Sequence, residues 1–349
     1  MSAIGLLIAA VMSCTNVFME VARKRALYHR LVAPTTFWCH VFDFLVFAIA
    51  FTIRIAGGAN VVIQDGGNLF GIPSWHLAPV PTYIVYLLLD LFLLATANLL
   101  FFLALKYSPL SLCVPLLAFT SVLLIPTGLV VLGELPPLVK LLGVILIVLG
   151  SLVMHRRQAT DTWAAPLKAL ATEKGSRYML LVALLLAVTS PLDKKLVLMS
   201  DIYTQSLLYG LGMCLFFCIL AFVRREPFGP SLCGNLWWIG LAGSLDAISL
   251  LLQFASYHYI DVVVSVSIKR AGIVLSVFFG WLFFRERGIL DRTIGASVMF
   301  IGVLVLYLPL TPHATILMTL ATFVSLTASL YMTRDKVVDP SYLSKSKRT

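Results

Sequence analysis

The chain has 349 residues, of which 60% are hydrophobic and only 12% are charged, and its mean hydropathy is +0.97. These values exclude an ordinary soluble domain and indicate an all-α polytopic membrane protein. The net charge of +10 does not indicate a nucleic-acid partner, because most lysine and arginine residues lie in short segments between apolar runs rather than on one solvated face.

Ten apolar runs are long enough to cross a bilayer as helices. They lie at residues 3–22, 35–54, 82–105, 108–131, 137–154, 178–198, 202–223, 236–257, 261–284 and 289–309. An eleventh run, 314–332, is weaker because Thr and Ser interrupt it, and its alternative is an interfacial or disordered tail. A loop insertion at 55–81 separates the second and third runs, and a basic connector at 156–177 separates the fifth and sixth.

The chain also contains an internal repeat. Sliding the sequence on itself by 152 positions aligns identical residues without gaps. The aligned pairs are Phe102 with Phe254, Tyr107 with Tyr259, Val122 with Val274, Leu123 with Leu275, Gly128 with Gly280, Glu134 with Glu286, Gly143 with Gly295 and Gly150 with Gly302. Composition alone explains paired glycines and glutamates less readily than paired apolar residues, so the pattern favours a duplicated unit.

Each unit holds five predicted spans, an odd number, so the second unit enters the membrane from the opposite side. The sequence therefore predicts two inverted-topology repeats of five transmembrane helices, at 1–155 and 178–309. A C-terminal segment, 310–349, follows with the eleventh candidate helix and a basic tail. Inverted repeats of this kind form many secondary transporters, in which the substrate site lies near the membrane midplane between the halves.

Two segments at equivalent positions of the repeats carry a family resemblance. One begins ALKYSPLSLC and the other IDVVVSVSIKR, and each combines a span that ends on Tyr, an apolar span that closes on Glu and a Gly-containing span. With two five-span units, the chain resembles the drug/metabolite transporter superfamily, especially its EamA-type members, over about residues 3–309. The resemblance implies a multi-pass transporter. Lys269 and Arg270 also resemble a basic pair in the corresponding span of nucleotide-sugar transporters of that superfamily.

Several charged residues lie inside the predicted spans, where an isolated charge costs about 2.5 to 3.5 kcal/mol. At a rise of 1.5 Å per residue, Lys269 and Asp90 lie about 12 Å from one membrane face, and Asp246 and Asp43 about 16 Å from the same face. We expect a polar cavity in which Lys269 and Arg270 bind substrate, while Asp90 or Asp246 orients them or takes a coupling proton. In the structural alternative, Lys269 pairs with Asp246 and Arg270 with Asp90.

Four uncharged or shallower residues are further candidate substrate ligands. Asn98 and Gln253 lie on the third and eighth spans, where their amides are able to donate hydrogen bonds either to a substrate or to a neighbouring helix. Lys194 and Lys195 follow Pro191 near the end of the sixth span. Lysine side chains at such positions often extend to the membrane interface instead.

No sequence motif indicates catalysis or a bound cofactor. The six histidines and six cysteines have no local metal-ligand spacing, and no Walker, GxGxxG, HExxH or GxSxG motif occurs. We therefore expect no metal, no cofactor and no enzymatic activity.

Together these features favour a secondary transporter in the plasma membrane, or in the inner membrane if the source is bacterial. It would move a small organic anion by alternating access, with the bilayer, the substrate and a coupling proton or ion as partners. One alternative is an exporter of amino acids or cationic drugs, in which aspartates bind the substrate. Alternatives from other classes are a membrane-embedded enzyme and a non-transporting scaffold or lipid translocator. The sequence does not specify the oligomeric state.

The basic residues also predict the orientation of the chain. Loops on the side reached by the first span hold fifteen lysine and arginine residues, against two on the N-terminal side. Because positive residues favour the cytoplasm, we expect an external N-terminus, opposite to what the resemblance implies, and eleven spans. The alternative is a ten-span protein in which fold constraints outweigh loop charge.

Overall fold

A computed structural model describes residues 3–28, 30–58, 79–108, 110–133, 138–154, 173–229, 235–272, 279, 289–307, 319 and 321–322. Regular structure in these ranges is helical, and none of their residues forms a strand. The predicted all-α, polytopic class is confirmed at this level.

The helices follow the predicted spans in chain order. They are α1 (Ala3–Ala26), α2 (Val32–Ala56), α3 (Pro79–Tyr107), α4 (Leu110–Cys113), a 3₁₀ helix (Val114–Ala118), α5 (Phe119–Leu132), α6 (Leu138–Met154), α7 (Lys174–Met199), α8 (Ile202–Val223), α9 (Leu236–Ser256), α10 (Val262–Ala271) and α11 (Ile289–Tyr307). Within the described ranges, four segments are long and apolar enough to cross a membrane by length and composition alone: Val32–Ala56, Pro81–Tyr107, Ile202–Val223 and Leu236–Ser256.

The fourth predicted span, expected as one helix over 108–131, is interrupted. A 3₁₀ turn separates α4 from α5, and Pro115 lies in its first turn. Proline has no backbone N–H, so the α-helical hydrogen-bond ladder cannot run through this position. Helix α5 then ends at Gly133, whose φ of 70° is the left-handed conformation that glycine adopts without a steric penalty.

Several predicted segments lie wholly or largely outside the described residues. They are most of the loop insertion at 55–81 and of the connector at 156–177, the predicted ninth span beyond Gly272 except Phe279, and the eleventh candidate at 314–332 except residues 319, 321 and 322. The paired glutamates Glu134 and Glu286 also lie there.

Large apolar side chains cover the outer surface of the bundle. Phe222 and Trp237 are 78% and 74% exposed, and several leucines and isoleucines on α1, α2 and α3 are also more than half exposed. A soluble monomer rarely exposes contiguous apolar surface on this scale. The outer surface is therefore suited to contact with lipid.

The helices of the two halves pack mainly against each other rather than within one half. Helix α1 packs on α9 and α3 packs on α7, while α2 packs on α8 and α6 packs on α11. Smaller contacts join α2 to α9, α5 to α7 and α1 to α10. The bundle interior is consequently lined by helices from both halves.

Glycines bring α6 and α11 into backbone contact. A Cβ atom on Gly150 would lie 2.5 Å from the carbonyl oxygen of Gly295, and one on Gly302 would lie 2.6 Å from the carbonyl oxygen of Gly143. Real Cβ atoms do not approach so closely, so both glycines are required for this packing. Small residues serve the same purpose in many membrane helix pairs.

We expect Gly150→Ala and Gly302→Ala each to destabilise the protein by about 1–3 kcal/mol, because each added methyl group forces α6 and α11 apart. Thermal unfolding of the detergent-solubilised protein measures this effect. Gly240→Ala is the matched control, since its Cβ would lie 3.5 Å from the ring of Phe42, an ordinary contact. Unfolding of both variants at the wild-type temperature would show that the two helices do not pack this closely.

Candidate functional site

A polar cavity lies in the bundle interior between the two halves. It encloses about 740 Å³ of empty space, including space open to solvent, and helices α1, α3, α7, α8, α9 and α10 supply its walls. Its polar and charged lining residues are Asn16, Glu20, Arg23, Asn98, Ser190, Asp193, Tyr209, Asp246, Gln253, Lys269 and Arg270. Five of the eight predicted site residues are thus brought together in one place: Lys269, Arg270, Asp246, Asn98 and Gln253.

Helix α10 places Lys269 and Arg270 at the cavity by docking closely against α1. A Cβ on Gly272, just after α10, would lie 2.6 Å from a methyl carbon of Val17 and 2.9 Å from the carbonyl oxygen of Ser13. The hydroxyl of Ser13 donates a hydrogen bond of 3.2 Å to the carbonyl oxygen of Lys269. The absence of a side chain at Gly272 therefore fixes how far α10 reaches into the bundle.

Gln253 holds the ammonium group of Lys269. Lys269 Nζ donates to Gln253 Oε1 at 2.7 Å, and Gln253 Nε2 donates to the hydroxyl of Tyr257 at 2.6 Å. The amide acts here as a neutral acceptor, so it orients Lys269 without cancelling its charge.

Arg270 lines the cavity without a carboxylate partner. Arg270 is only 7% exposed, and its Nε atom has no hydrogen-bond partner. Across the described ranges, neither Arg270 nor Lys269 takes part in an ion pair within 4 Å. The alternative pairs Lys269 with Asp246 and Arg270 with Asp90 are accordingly not formed in this conformation.

Asp246 pairs with an arginine that the sequence interpretation had assigned to a loop. Arg23 Nη2 lies 2.5 Å from Asp246 Oδ2, and the guanidinium carbon lies 5.5 Å from the ring centre of Phe101 and 5.1 Å from that of Phe102. The side chain of Arg23 is 6% exposed. The fifteen loop cations of the orientation prediction include Arg23, and this assignment to a loop is wrong because α1 continues to Ala26.

A sequence signal for this part of the cavity did exist on α1. Asn16, Glu20 and Arg23 follow one another at spacings of four and three residues, which places them on one face of a helix. The structure confirms the shared face, since all three line the cavity and Asn16 Nδ2 donates to Glu20 Oε1 at 2.8 Å. Asp193 of α7 and Tyr209 of α8 complete the polar wall and were also missed.

The remaining predicted residues lie elsewhere or bond locally. Asp90 is fully buried and lies close to Asp193, but it does not line the cavity. Lys194 and Lys195 are each 6% exposed and also lie outside the cavity lining. Lys194 Nζ donates to the carbonyl oxygen of Ile260 at 3.2 Å, and Lys195 Nζ lies 5.7 Å from the ring centre of Tyr86. Asn98, although it lines the cavity, bonds within its own helix, since its Nδ2 donates to the carbonyl oxygen of Leu94 at 3.2 Å.

Behind the cavity wall, two helices bring His40, Asp43 and Asp246 together. His40 Nδ1 lies 2.5 Å from Asp43 Oδ2, and the potential ligand atoms of all three residues lie within 4.8 Å of one another. Such a set has the composition of a partial metal site. However, His40 Nδ1 is already bonded to Asp43, and Arg23 already neutralises Asp246. The geometry favours a hydrogen-bonded group over an open coordination site.

Comparison with known proteins agrees with this architecture. Residues 173–308 match the sequence model of the EamA-like transporter family. That part of the chain is similar to the EamA-like transporter family. The match and the apolar helices indicate an integral, multi-pass membrane protein. Members of the EamA-like family are transporters of small solutes rather than enzymes.

A solved crystal structure is similar to the chain over most of its length. The TM-score is 0.61 at 14% sequence identity, and the similarity covers 87% of this chain and 96% of the other. Identity at this level indicates a shared fold only. No curated protein shows significant sequence similarity to the chain.

Proposed function

We propose that the protein is a secondary transporter that moves a small organic anion by alternating access. The observation that carries this proposal is the presence of Lys269 and Arg270 at a buried cavity, with no carboxylate within ion-pair distance of either. A buried cation that lacks a carboxylate in direct contact is costly, and the more distant Glu20 offsets only part of that cost for Arg270. An anionic substrate would supply that counter-ion, and the planar guanidinium of Arg270 would bind a carboxylate or phosphate with two hydrogen bonds.

The proposal includes two inverted repeats, at 1–155 and 178–309, which would rock about the cavity. In the two repeats, α1 corresponds to α7 and α3 corresponds to α9. The contact between α1 and α9 is therefore equivalent to the contact between α7 and α3, and both contacts are extensive. Gly150 likewise corresponds to Gly302 and Gly143 to Gly295, so the contact between Gly150 and Gly295 is equivalent to that between Gly302 and Gly143. Helix pairs related in this way support a duplicated, symmetry-related architecture.

The acidic residues of the same cavity support the alternative substrate classes. Glu20, Asp193 and Asp246 would bind the ammonium group of an amino acid or a cationic drug. Asp246 is already neutralised by Arg23, and Glu20 accepts a hydrogen bond from Asn16. We favour the anion because neither Lys269 nor Arg270 has a carboxylate within 4 Å, whereas Asp246 is paired with Arg23.

Counterflow in proteoliposomes tests the proposed function. Vesicles containing the purified protein are loaded in turn with unlabelled succinate, glucose 6-phosphate, UDP-glucose, alanine or lysine, and the same radiolabelled compound is added outside. We expect saturable exchange of at least one of the three anions and none of lysine. Exchange of lysine or alanine alone would contradict the anionic substrate, and exchange of none of the five would contradict this substrate assignment.

A further inference from the structure

His40 and Asp43 form a buried pair that the substrate cavity does not use. Both side chains are fully buried, and they lie three residues apart on α2, so that Nδ1 and Oδ2 meet at 2.5 Å. Neither residue lines the cavity. His40 Nε2 and Asp43 Oδ1 have no hydrogen-bond partner, although each is fully removed from water. Unpartnered polar atoms in a dry interior are costly, so their retention calls for an explanation.

Asp246 connects this pair to the cavity. Gly243 lies one helical turn before Asp246 on α9, and a Cβ there would collide with the carbonyl oxygen of Cys39 on α2. The close approach of the two backbones brings the carboxyl oxygens of Asp246 and Asp43 within 4.8 Å of each other. The side chain of Asp246 is 16% exposed and lines the cavity. Asp246 is therefore placed to pass a proton between cavity water and Asp43.

The charges around the pair leave one negative charge unbalanced. Titratable groups face it from four helices: Arg23 of α1, Cys39 of α2 itself, Tyr209 and Cys214 of α8, and Asp246 of α9. Arg23 is the cation among them, and it is paired with Asp246. Lys269 also attracts Asp246, but from beyond ion-pair distance. The second carboxylate, Asp43, is balanced when one proton resides on Asp43 or His40. Two carboxyl groups this close do not both remain ionised beside a single cation.

We propose that the His40–Asp43 pair holds the coupling proton of the transporter and exchanges it with the cavity through Asp246. This inference rests on the proposed function. When an anionic substrate engages Arg23, it competes with Asp246 for the guanidinium, and its negative charge offsets the positive charge that Arg23 exerts on Asp43. The His40–Asp43 pair then binds its proton more tightly. Anion and proton therefore bind together by linkage. One proton enters from the water on one side and leaves to the water on the other, so the cycle carries one proton with each anion.

Proton-driven accumulation, measured beside exchange, tests the coupling. Proteoliposomes with wild-type protein are given the radiolabelled anion that undergoes counterflow, under an inward proton gradient of one pH unit. With the membrane potential held at zero and one proton per anion, we expect up to about tenfold accumulation, since one pH unit corresponds to a tenfold concentration ratio. His40→Gln and Asp43→Asn should abolish accumulation but keep counterflow within about twofold of wild type, because neither side chain lines the cavity.

Two further variants separate proton binding from a structural role. Asp43→Glu retains a carboxyl group and should restore part of the accumulation, whereas a residue needed only for packing would not be rescued by a longer acid. Asp261→Asn removes an exposed aspartate that does not cap α10 with its side chain, and it should accumulate substrate as wild type does.

Four outcomes would overturn the inference. Wild-type counterflow without accumulation would remove proton coupling and leave the proposed function standing. Wild-type accumulation by both Asp43→Asn and His40→Gln would place the proton elsewhere. Loss of counterflow in step with accumulation, in correctly inserted protein and without rescue by Asp43→Glu, would make the pair structural. The absence of wild-type counterflow would contradict both the proposed anion transport and its coupling.

Discussion

Arg270→Ala should lower counterflow of the anionic substrate by at least about 100-fold while the protein remains folded in the membrane. Removing one member of a buried, hydrogen-bonded charge pair costs about 2–5 kcal/mol of binding, and about 2.7 kcal/mol corresponds to 100-fold. Arg270→Lys should also impair transport by about tenfold or more, because an ammonium group lacks the planar fork that binds a carboxylate or phosphate with two hydrogen bonds.

The matched control for these variants is Arg177 on α7, which is exposed and does not line the cavity. Arg177→Ala and Arg177→Lys should exchange substrate at the wild-type rate. Lys269→Ala should resemble Arg270→Ala, because Gln253 holds Lys269 at the same cavity. Wild-type exchange by both Arg270→Ala and Lys269→Ala would show that the two cations are structural, and the aspartates would then be the better candidates for substrate contact.

Sequence reasoning located the cavity through Lys269 and Arg270 because charge is rare in an apolar run. The physical cost of burying a cation makes such a position informative without any partner being known. The same reasoning failed for Arg23, since it begins the sequence RKR at the end of an apolar run and looks like the start of a loop. Lys24 shows why the helix continues, since its ammonium group donates to the carbonyl oxygens of Leu105 and Ser108 at 2.6 Å.

Partner choice is harder to predict than burial. Asp246 was expected to meet Lys269 because the two lie at similar depths, yet depth fixes only one coordinate. Rotation about the helix axis and the crossing of α1 over α9 decide which cation reaches the carboxylate. His40 was not predicted as a site residue for a similar reason. Its neighbour Asp246 comes from a helix about 200 residues away, so no local sequence spacing indicates that the two residues meet.

The break in the fourth predicted span illustrates a different limit. Hydrophobicity predicted one continuous helix over 108–131, and Pro115 alone did not decide between a kink and an interruption. The 3₁₀ turn at Val114–Ala118 forms where Leu116 and Leu117 pack into the largest hydrophobic cluster of the described residues. Tertiary packing therefore set the local geometry, and periodicity carries no information about it.

The ion pair between Arg23 and Asp246 should make a large contribution to stability that a single substitution reveals. Arg23→Ala leaves Asp246 without its cation in a buried site, and breaking a buried pair in this way costs about 3–5 kcal/mol. It also removes the contacts of the guanidinium with Phe101 and Phe102. We expect a lower unfolding temperature in detergent, and the double variant Arg23→Met with Asp246→Leu should recover most of the loss, because no uncompensated charge remains.

Arg54 provides the comparison, because it pairs with Asp201 at 3.5 Å with 38% of its side chain exposed. Arg54→Ala should cost less than about 1 kcal/mol. Asp201 remains satisfied without it, since its carboxylate accepts hydrogen bonds from the backbone N–H groups of Tyr203 and Thr204 at the start of α8. If Arg23→Ala destabilised the protein no more than Arg54→Ala does, Asp246 would have to be protonated or solvated in the native state. That result would also contradict the proposed effect of Arg23 on the proton of the His40–Asp43 pair.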